Sequence, residues 1–166
     1  MTQSLRLLLS ALVVVASLAL AGCGFHLRNQ TDIPYTSIYI ESGNGSAVAA
    51  ALRRLMTAGG HADRLASSPA KAERIIQIMD ETNQMLIIAI TGAGTVSEYQ
   101  LQYRVKYRIL TPDHKEVAAP QEIFLTRNMN FNPSQPFAYG NEQQFLNSDM
   151  QNDAAHQILH RLFMLH

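Results

Sequence analysis

Eleven residues in a row, Tyr99 to Ile109, alternate between apolar and polar without a break. Tyr99, Leu101, Tyr103, Val105, Tyr107 and Ile109 fall on one side, and Gln100, Gln102, Arg104, Lys106 and Arg108 on the other. A β-strand sends successive side chains to opposite faces, so the pattern commits this segment to a sheet packed on one side only. The other side has to meet water, a partner or a ligand.

The rest of the chain supplies what packs there. Ser37 to Glu41 alternates around Ile38 and Ile40 and reads as a first strand. Gly43-Asn44-Gly45 is a turn, and Ser46 is a candidate N-cap for a helix carrying Val48, Leu52, Leu55 and Met56 on one stripe. Gly59-Gly60 should stop that helix, and Arg53 and Arg54 near its end are placed to meet its dipole. Two β-rich runs follow, Arg74 to Asp80 and Gln84 to Ile90, with Glu81-Thr82-Asn83 of hairpin-loop length between them. After the long strand and the turn Thr111 to His114, Glu122 to Phe131 reads as its paired return, with Ile123, Leu125, Met129 and Phe131 on one face. Asn132 to Asn141 holds Pro133 and Pro136 and reads as a loop. A last helix is expected from about Gln143 to Phe163, on the stripe Met150, Ala154, Ile158, Leu162. The economical solution is an α+β two-layer sandwich: one mixed or antiparallel sheet of about four strands, with two helices packed on one face.

The N-terminus decides where such a domain works. Arg6 precedes an apolar run from Leu7 to Ala21, about 15 residues and short of the roughly 20 that span a bilayer. The layout is that of a secretory signal. It closes as Leu20-Ala21-Gly22-Cys23, a lipobox in which small residues admit the peptidase and the chain's one thiol takes the lipid. We therefore expect residues 1–22 to be a cleaved signal peptide, 23–36 a lipidated tether, and 37–166 one domain. Cys23 should carry an S-diacylglycerol and an N-acyl chain such as palmitate, with no other cofactor. Gly24 rather than Asp follows the cysteine, which by the sorting rule of enteric bacteria addresses the protein to the outer membrane, facing the periplasm.

Charge excludes some functions. Loss of Arg6 from 13 basic residues leaves 12 against 13 acidic ones, so no basic field exists to hold nucleic acid. His156 and His160 lie four apart on the last helix, yet a metal wants a third ligand and an ordered second shell, and no metal site is expected. Gly43-Asn44-Gly45-Ser46 lacks the third glycine of a dinucleotide turn. No nucleophile, base and orienting group assemble in the sequence, so the chain is not expected to be an enzyme. Two features invite a ligand or partner. One is the row Arg104, Lys106 and Arg108, with Lys115 at the next turn and Arg127 on the return strand: a solvated strand face, or an anion-binding one. The other is the nearly uncharged Asn-, Gln- and aromatic-rich run from Asn128 to Gln144: a mobile loop, or a protein interface.

Cys23-Gly24-Phe25-His26-Leu27-Arg28 resembles the mature start of the LPS-assembly lipoprotein family LptE (RlpB), whose members begin C-G-[FW]-H-L-R. Glu98-Tyr99-Gln100 leading into the long strand, and the C-terminal helix ending Ile158-Leu159-His160-Arg161-Leu162, are similar too. The resemblance implies a non-enzymatic subunit of the lipopolysaccharide translocon. Such a subunit plugs an LptD-like outer-membrane β-barrel, assists its assembly, and binds lipopolysaccharide for delivery to the outer leaflet. Candidate lipopolysaccharide contacts are Arg104, Lys106, Arg108, Lys115 and Arg127. Some members carry a basic residue in the turn before the Glu-Tyr-Gln strand, where this chain has Thr91-Gly92-Ala93-Gly94, and some carry a polar tail beyond the position of His166. The competing reading is another outer-membrane lipoprotein scaffold, such as a peptidoglycan anchor or a secretin pilot.

Overall fold

A computed structural model describes residues 34–132 and 136–165, the side chains of 136–138 excepted. The signal peptide, Cys23 and the tether up to residue 33 lie outside the described residues. The elements run β1 (Ile38–Glu41), α1 (Ala47–Ala58), two short 3-10 turns, β2 (Arg74–Ile90), β3 (Val96–Leu110), β4 (Gln121–Asn130) and α2 (Pro136–Phe163). The four strands form one mixed sheet in the order β1-β2-β3-β4. β1 and β2 are parallel, as the intervening α1 allows, and the other two pairs are antiparallel.

Parity places the core. Leu101, Tyr103, Val105, Tyr107 and Ile109 of β3 are all buried, together with Ile38, Ile40, Ile76, Ile78 and Ile123 of the neighbouring strands. Against them lie Val48, Leu52 and Met56 of α1 and Met150, Ala154, Ile158 and Leu162 of α2. Both helices thus cover the same face of the sheet, as the apolar stripes require. Tyr35 is only 2% exposed in this same core, so the packed body reaches back into the stretch read as tether. A second, small cluster of Ala72, Ile75 and Leu110 forms on the other face at the β1 end.

α1 ends as its sequence dictates. Gly60, at φ +80°, takes the left-handed position, while the His61 and Gly60 N–H groups donate to the Met56 and Thr57 carbonyls at 2.8 and 3.1 Å. This is a Schellman closure. The arginines do other work than meeting the dipole: Arg53 donates to the Ile40 carbonyl at 3.0 Å, tying α1 to β1.

Two expectations need correction. Glu81-Thr82-Asn83 is not a hairpin loop. These residues pair with Val105, Arg104 and Tyr103 inside one 17-residue strand, and the turn comes at Thr91–Thr95, where the Thr91 N–H donates to the Thr95 carbonyl at 2.7 Å. The cause is a bulge at Met79, between the pairs Ile78↔Tyr107 and Asp80↔Lys106. One extra residue reverses the parity of everything after it. Ile76 and Ile78 face the helices before the bulge, and Glu81, Asn83 and Met85 face them after it, so one strand reads as two. The second correction concerns α2, which starts at Pro136 rather than near Gln143. Proline has no N–H to waste and a helical φ, and so suits a first helical position.

Candidate functional site

The face of the sheet away from the helices is the open surface. Along β3 it carries Gln100, Gln102, Arg104, Lys106 and Arg108, opposite Asn128, Thr126, Phe124, Glu122 and, across β2, Gln77. Three bands follow one another. At the Leu110 end the surface is charged. In the middle, amides form a ladder in which Gln102 donates to Gln100 at 2.8 Å and Gln100 to Asn128 at 3.2 Å. Towards the β2–β3 turn β2 contributes apolar surface, with Leu86 and Ile88 exposed, beside Glu98 of β3.

Each cation of the row has company. Arg104 pairs with Glu122 and lies over the Phe124 ring at 4.6 Å. Lys106 shares Glu122 at 3.7 Å. Arg108 donates to Gln77 at 2.5 Å and to Glu116 at 2.9 Å. These pairs are exposed, with Arg104 and Glu122 side chains 42% and 38% accessible, and exposed ion pairs contribute only about 0–1 kcal/mol each. An incoming anion can therefore exchange for a carboxylate at little cost. Lys115 closes the turn after β3, its backbone N–H donating to the Thr111 hydroxyl at 3.2 Å. No carboxylate lies within salt-bridge distance of its ammonium among the described residues.

Arg127 stands apart. Its register opposite Leu101 turns it to the helix side, where it donates to Asp149 at 3.0 Å and Asp153 at 3.3 Å on α2. The Asp149 carboxylate, and then Asp153, push its guanidinium pKa up against the opposing effect of burial. The structure therefore brings Arg104, Lys106 and Arg108 together on one face, leaves Lys115 at the adjoining turn, and gives Arg127 to the α2–β4 contact.

Sequence reading missed Glu81. From β2 its carboxylate accepts from the Ser46 hydroxyl at 2.6 Å, from the Ala47 and Val48 N–H groups at 3.2 Å each, and from the Tyr103 hydroxyl at 2.5 Å. It is the N-terminal anion of a helix that has no acidic residue in its own first turn. That deficit was the one signal available in the sequence. Burial, and then the Glu81 hydrogen bond and charge, push the Tyr103 phenol far above its ordinary value. With Glu81 seated there, the first N–H groups of α1, which a phosphate at this turn would use, already have a carboxylate acceptor.

The run from Asn128 to Gln144 is mostly the end of β4 and the start of α2. Phe131, Tyr139 and Tyr99 meet there with ring centroids 5.0–5.7 Å apart. His156 and His160 line an open groove with Tyr107, Glu122 and Arg161. Among the described residues no group of three His, Cys, Asp or Glu is placed to hold a metal, and no helix is long and apolar enough to cross a membrane.

A sheet backed by helices on one side and bare on the other defines a two-layer α+β protein with one sheet face open to water, a ligand or a partner. The model of the lipopolysaccharide-assembly family LptE matches residues 35–162. The LPS-assembly lipoprotein LptE of Yersinia enterocolitica is 26% identical over 163 residues, 96% of this chain and 77% of that protein. Its namesake from Photorhabdus laumondii is 25% identical, over 96% and 87%. Among solved structures, an uncharacterized lipoprotein B from Nitrosomonas europaea superposes with TM-score 0.72 at 34% identity, covering 84% of this chain and 90% of that one. The rare lipoprotein B of Shewanella oneidensis shares the fold at TM-score 0.62 and 19% identity, over 76% and 92%. The chain belongs to the LptE family of lipopolysaccharide-assembly proteins, which are cell-envelope lipoproteins, not enzymes, and need no cofactor.

Proposed function

We propose that this chain is the lipoprotein subunit of a lipopolysaccharide translocon. In this reading residues 1–22 are removed, and Cys23 takes diacylglycerol and palmitate. The stretch from Cys23 to the packed body, which Tyr35 already joins, tethers the domain to the periplasmic leaflet of the outer membrane. The domain plugs an LptD-like β-barrel, assists its assembly and contacts lipopolysaccharide. A plug needs polar surface toward a polar lumen, and the amide ladder together with the Asn- and Gln-rich start of α2 offers it. Lipopolysaccharide phosphates need cations, which Arg104, Lys106, Arg108 and Lys115 offer. Arg127, already held by two aspartates, serves this surface by fixing α2 against β4.

The observation that carries the reading is family membership joined to a basic row whose carboxylate partners are exposed and exchangeable. Glu122 competes with the ligand for both Arg104 and Lys106. Glu122→Gln is therefore expected to tighten lipopolysaccharide binding about threefold, the equivalent of one weak exposed pair. A titration with fluorescent lipopolysaccharide at low salt checks this. Unchanged or weaker binding by the Glu122→Gln protein would mean that phosphates bind elsewhere.

A further inference from the structure

The groove between the end of α2 and the start of β4 gathers hydrogen-bond donors that the protein itself does not use. Tyr107 lines it from β3 and is only 3% exposed, yet its hydroxyl makes no hydrogen bond among the described residues. A phenol so deeply set ordinarily has a partner, and the groove is where one could reach it. Burial pushes the Tyr107 pKa up and the Arg161 guanidinium opposes that, so the cation's field reaches the hydroxyl. His156, His160 and Arg161 line the same groove from α2 and are exposed. None of these three side chains has an acceptor among the described residues. The nearby carboxylates are engaged elsewhere: Glu122 by Arg104 and Lys106 on the open face of the sheet, Asp153 by Arg127 and Gln157. The helix dipole gives a reason for His160 and Arg161 in the last turn. It falls off within that turn, so it gives none for His156 or for a phenol on β3.

We propose that this groove binds a phosphate monoester carried on a sugar, with Arg161, the Tyr107 hydroxyl and the imidazole N–H groups of His156 and His160 as its donors. A guanidinium fork matches phosphate or carboxylate oxygens in pairs. A carboxylate would be spent on that fork, whereas a phosphate keeps further terminal oxygens for donors arriving from β3 and from the preceding turn of α2. Each imidazole donates one N–H even when neutral, and two when charged. The groove's volume of about 420 Å³ exceeds what a phosphate alone fills and lies in the range of small-ligand sites. It opens on the helix side of the sheet, so the site is separate from the row Arg104, Lys106 and Arg108 and does not rest on the reading given to that row. Two sources present this chemistry: a phosphorylated lipopolysaccharide headgroup and a small sugar phosphate in solution.

Calorimetric titration of the full-length lipoprotein in neutral detergent with a hexose 1-phosphate, and with the unphosphorylated hexose as control, tests this. The sugar phosphate should bind at one site per chain and the plain hexose should not. Arg161→Gln should weaken that binding about tenfold, and Tyr107→Phe about fivefold. The Tyr107 hydroxyl has no partner to lose, so Tyr107→Phe should leave the melting temperature unchanged; a phenol serving the fold through its hydroxyl would lower it. Displacement of the hexose phosphate by lipopolysaccharide, but not by dephosphorylated lipopolysaccharide, identifies the headgroup as the source. Displacement by neither identifies a free sugar phosphate. No saturable binding at millimolar hexose 1-phosphate, or binding that Arg161→Gln and Tyr107→Phe leave unchanged, overturns the proposal and makes the groove a solvated helix end. That failure would leave the translocon reading standing, because it rests on other residues.

Discussion

Glu81→Ala is expected to lower the unfolding free energy by about 3 kcal/mol, more than any other change of one exposed or half-buried residue in this chain. Four donors lose one acceptor: the hydroxyls of Ser46 and Tyr103 and the first two N–H groups of α1. A hydrogen bond to a charged group contributes about 1.5–3 kcal/mol, and an orphaned buried donor adds its desolvation penalty. The four bonds share one carboxylate, so their contributions do not sum. Ser46 still caps through its bond to the Ala49 N–H at 3.2 Å, which keeps the helix from losing its start altogether. In a domain of this size about 3 kcal/mol corresponds to a fall of roughly 10 °C in Tm. Glu81→Gln, which keeps an acceptor oxygen but no charge, should lose about half as much. Urea unfolding of the three proteins at neutral pH measures both. A loss below about 0.5 kcal/mol for Glu81→Ala would mean that solvent satisfies the N-terminus of α1 equally well.

Lys106→Glu/Arg108→Glu is expected to weaken lipopolysaccharide binding at least tenfold, about 1.4 kcal/mol, at low salt. Both side chains stand on the open face, with 51% and 33% of their side-chain area exposed, so the fold should survive. Reversal removes two cations, adds two anions, and strands Glu122 and Glu116 beside like charge. Salt supplies the control. Raising ionic strength to about 1 M shrinks the Debye length to about 3 Å, so the natural protein should lose affinity steeply and the reversed one only slightly. Equal affinity of the two proteins at low salt would identify the row as a solvated strand face with no ligand.

The sheet was legible because β3 states its own geometry: its five inward residues from Leu101 to Ile109 are all buried. The helix stripes through Leu52 and Ile158 were legible for the same reason, since burial follows a fixed period in a regular element. What stayed hidden depends on single events that periodicity does not record. One extra residue at Met79 splits β2 into two apparent runs and moves Glu81 from a loop into the core's margin. Arg127 looked like part of the basic row because charge is visible in sequence, whereas its facing is set by register with Leu101. Glu81 and Ser46 are 35 residues apart, and nothing local marks them as partners. Pro136 read as a loop residue, although it opens a helix, because proline serves both roles. The cations Arg104, Lys106 and Arg108 are visible as a row in the sequence; their carboxylate partners, Glu122 from the next strand and Glu116 from the connecting turn, are not.

The most direct measurement is an affinity purification of tagged, full-length protein from detergent-solubilised membranes, with the partners identified and counted by mass spectrometry. One large outer-membrane β-barrel at about one copy per copy of this chain, recovered with lipopolysaccharide, is the expected result. Recovery of the lipoprotein with sacculus fragments, a secretin or no stoichiometric partner would contradict the translocon reading, leaving LptE-family membership without a barrel to plug.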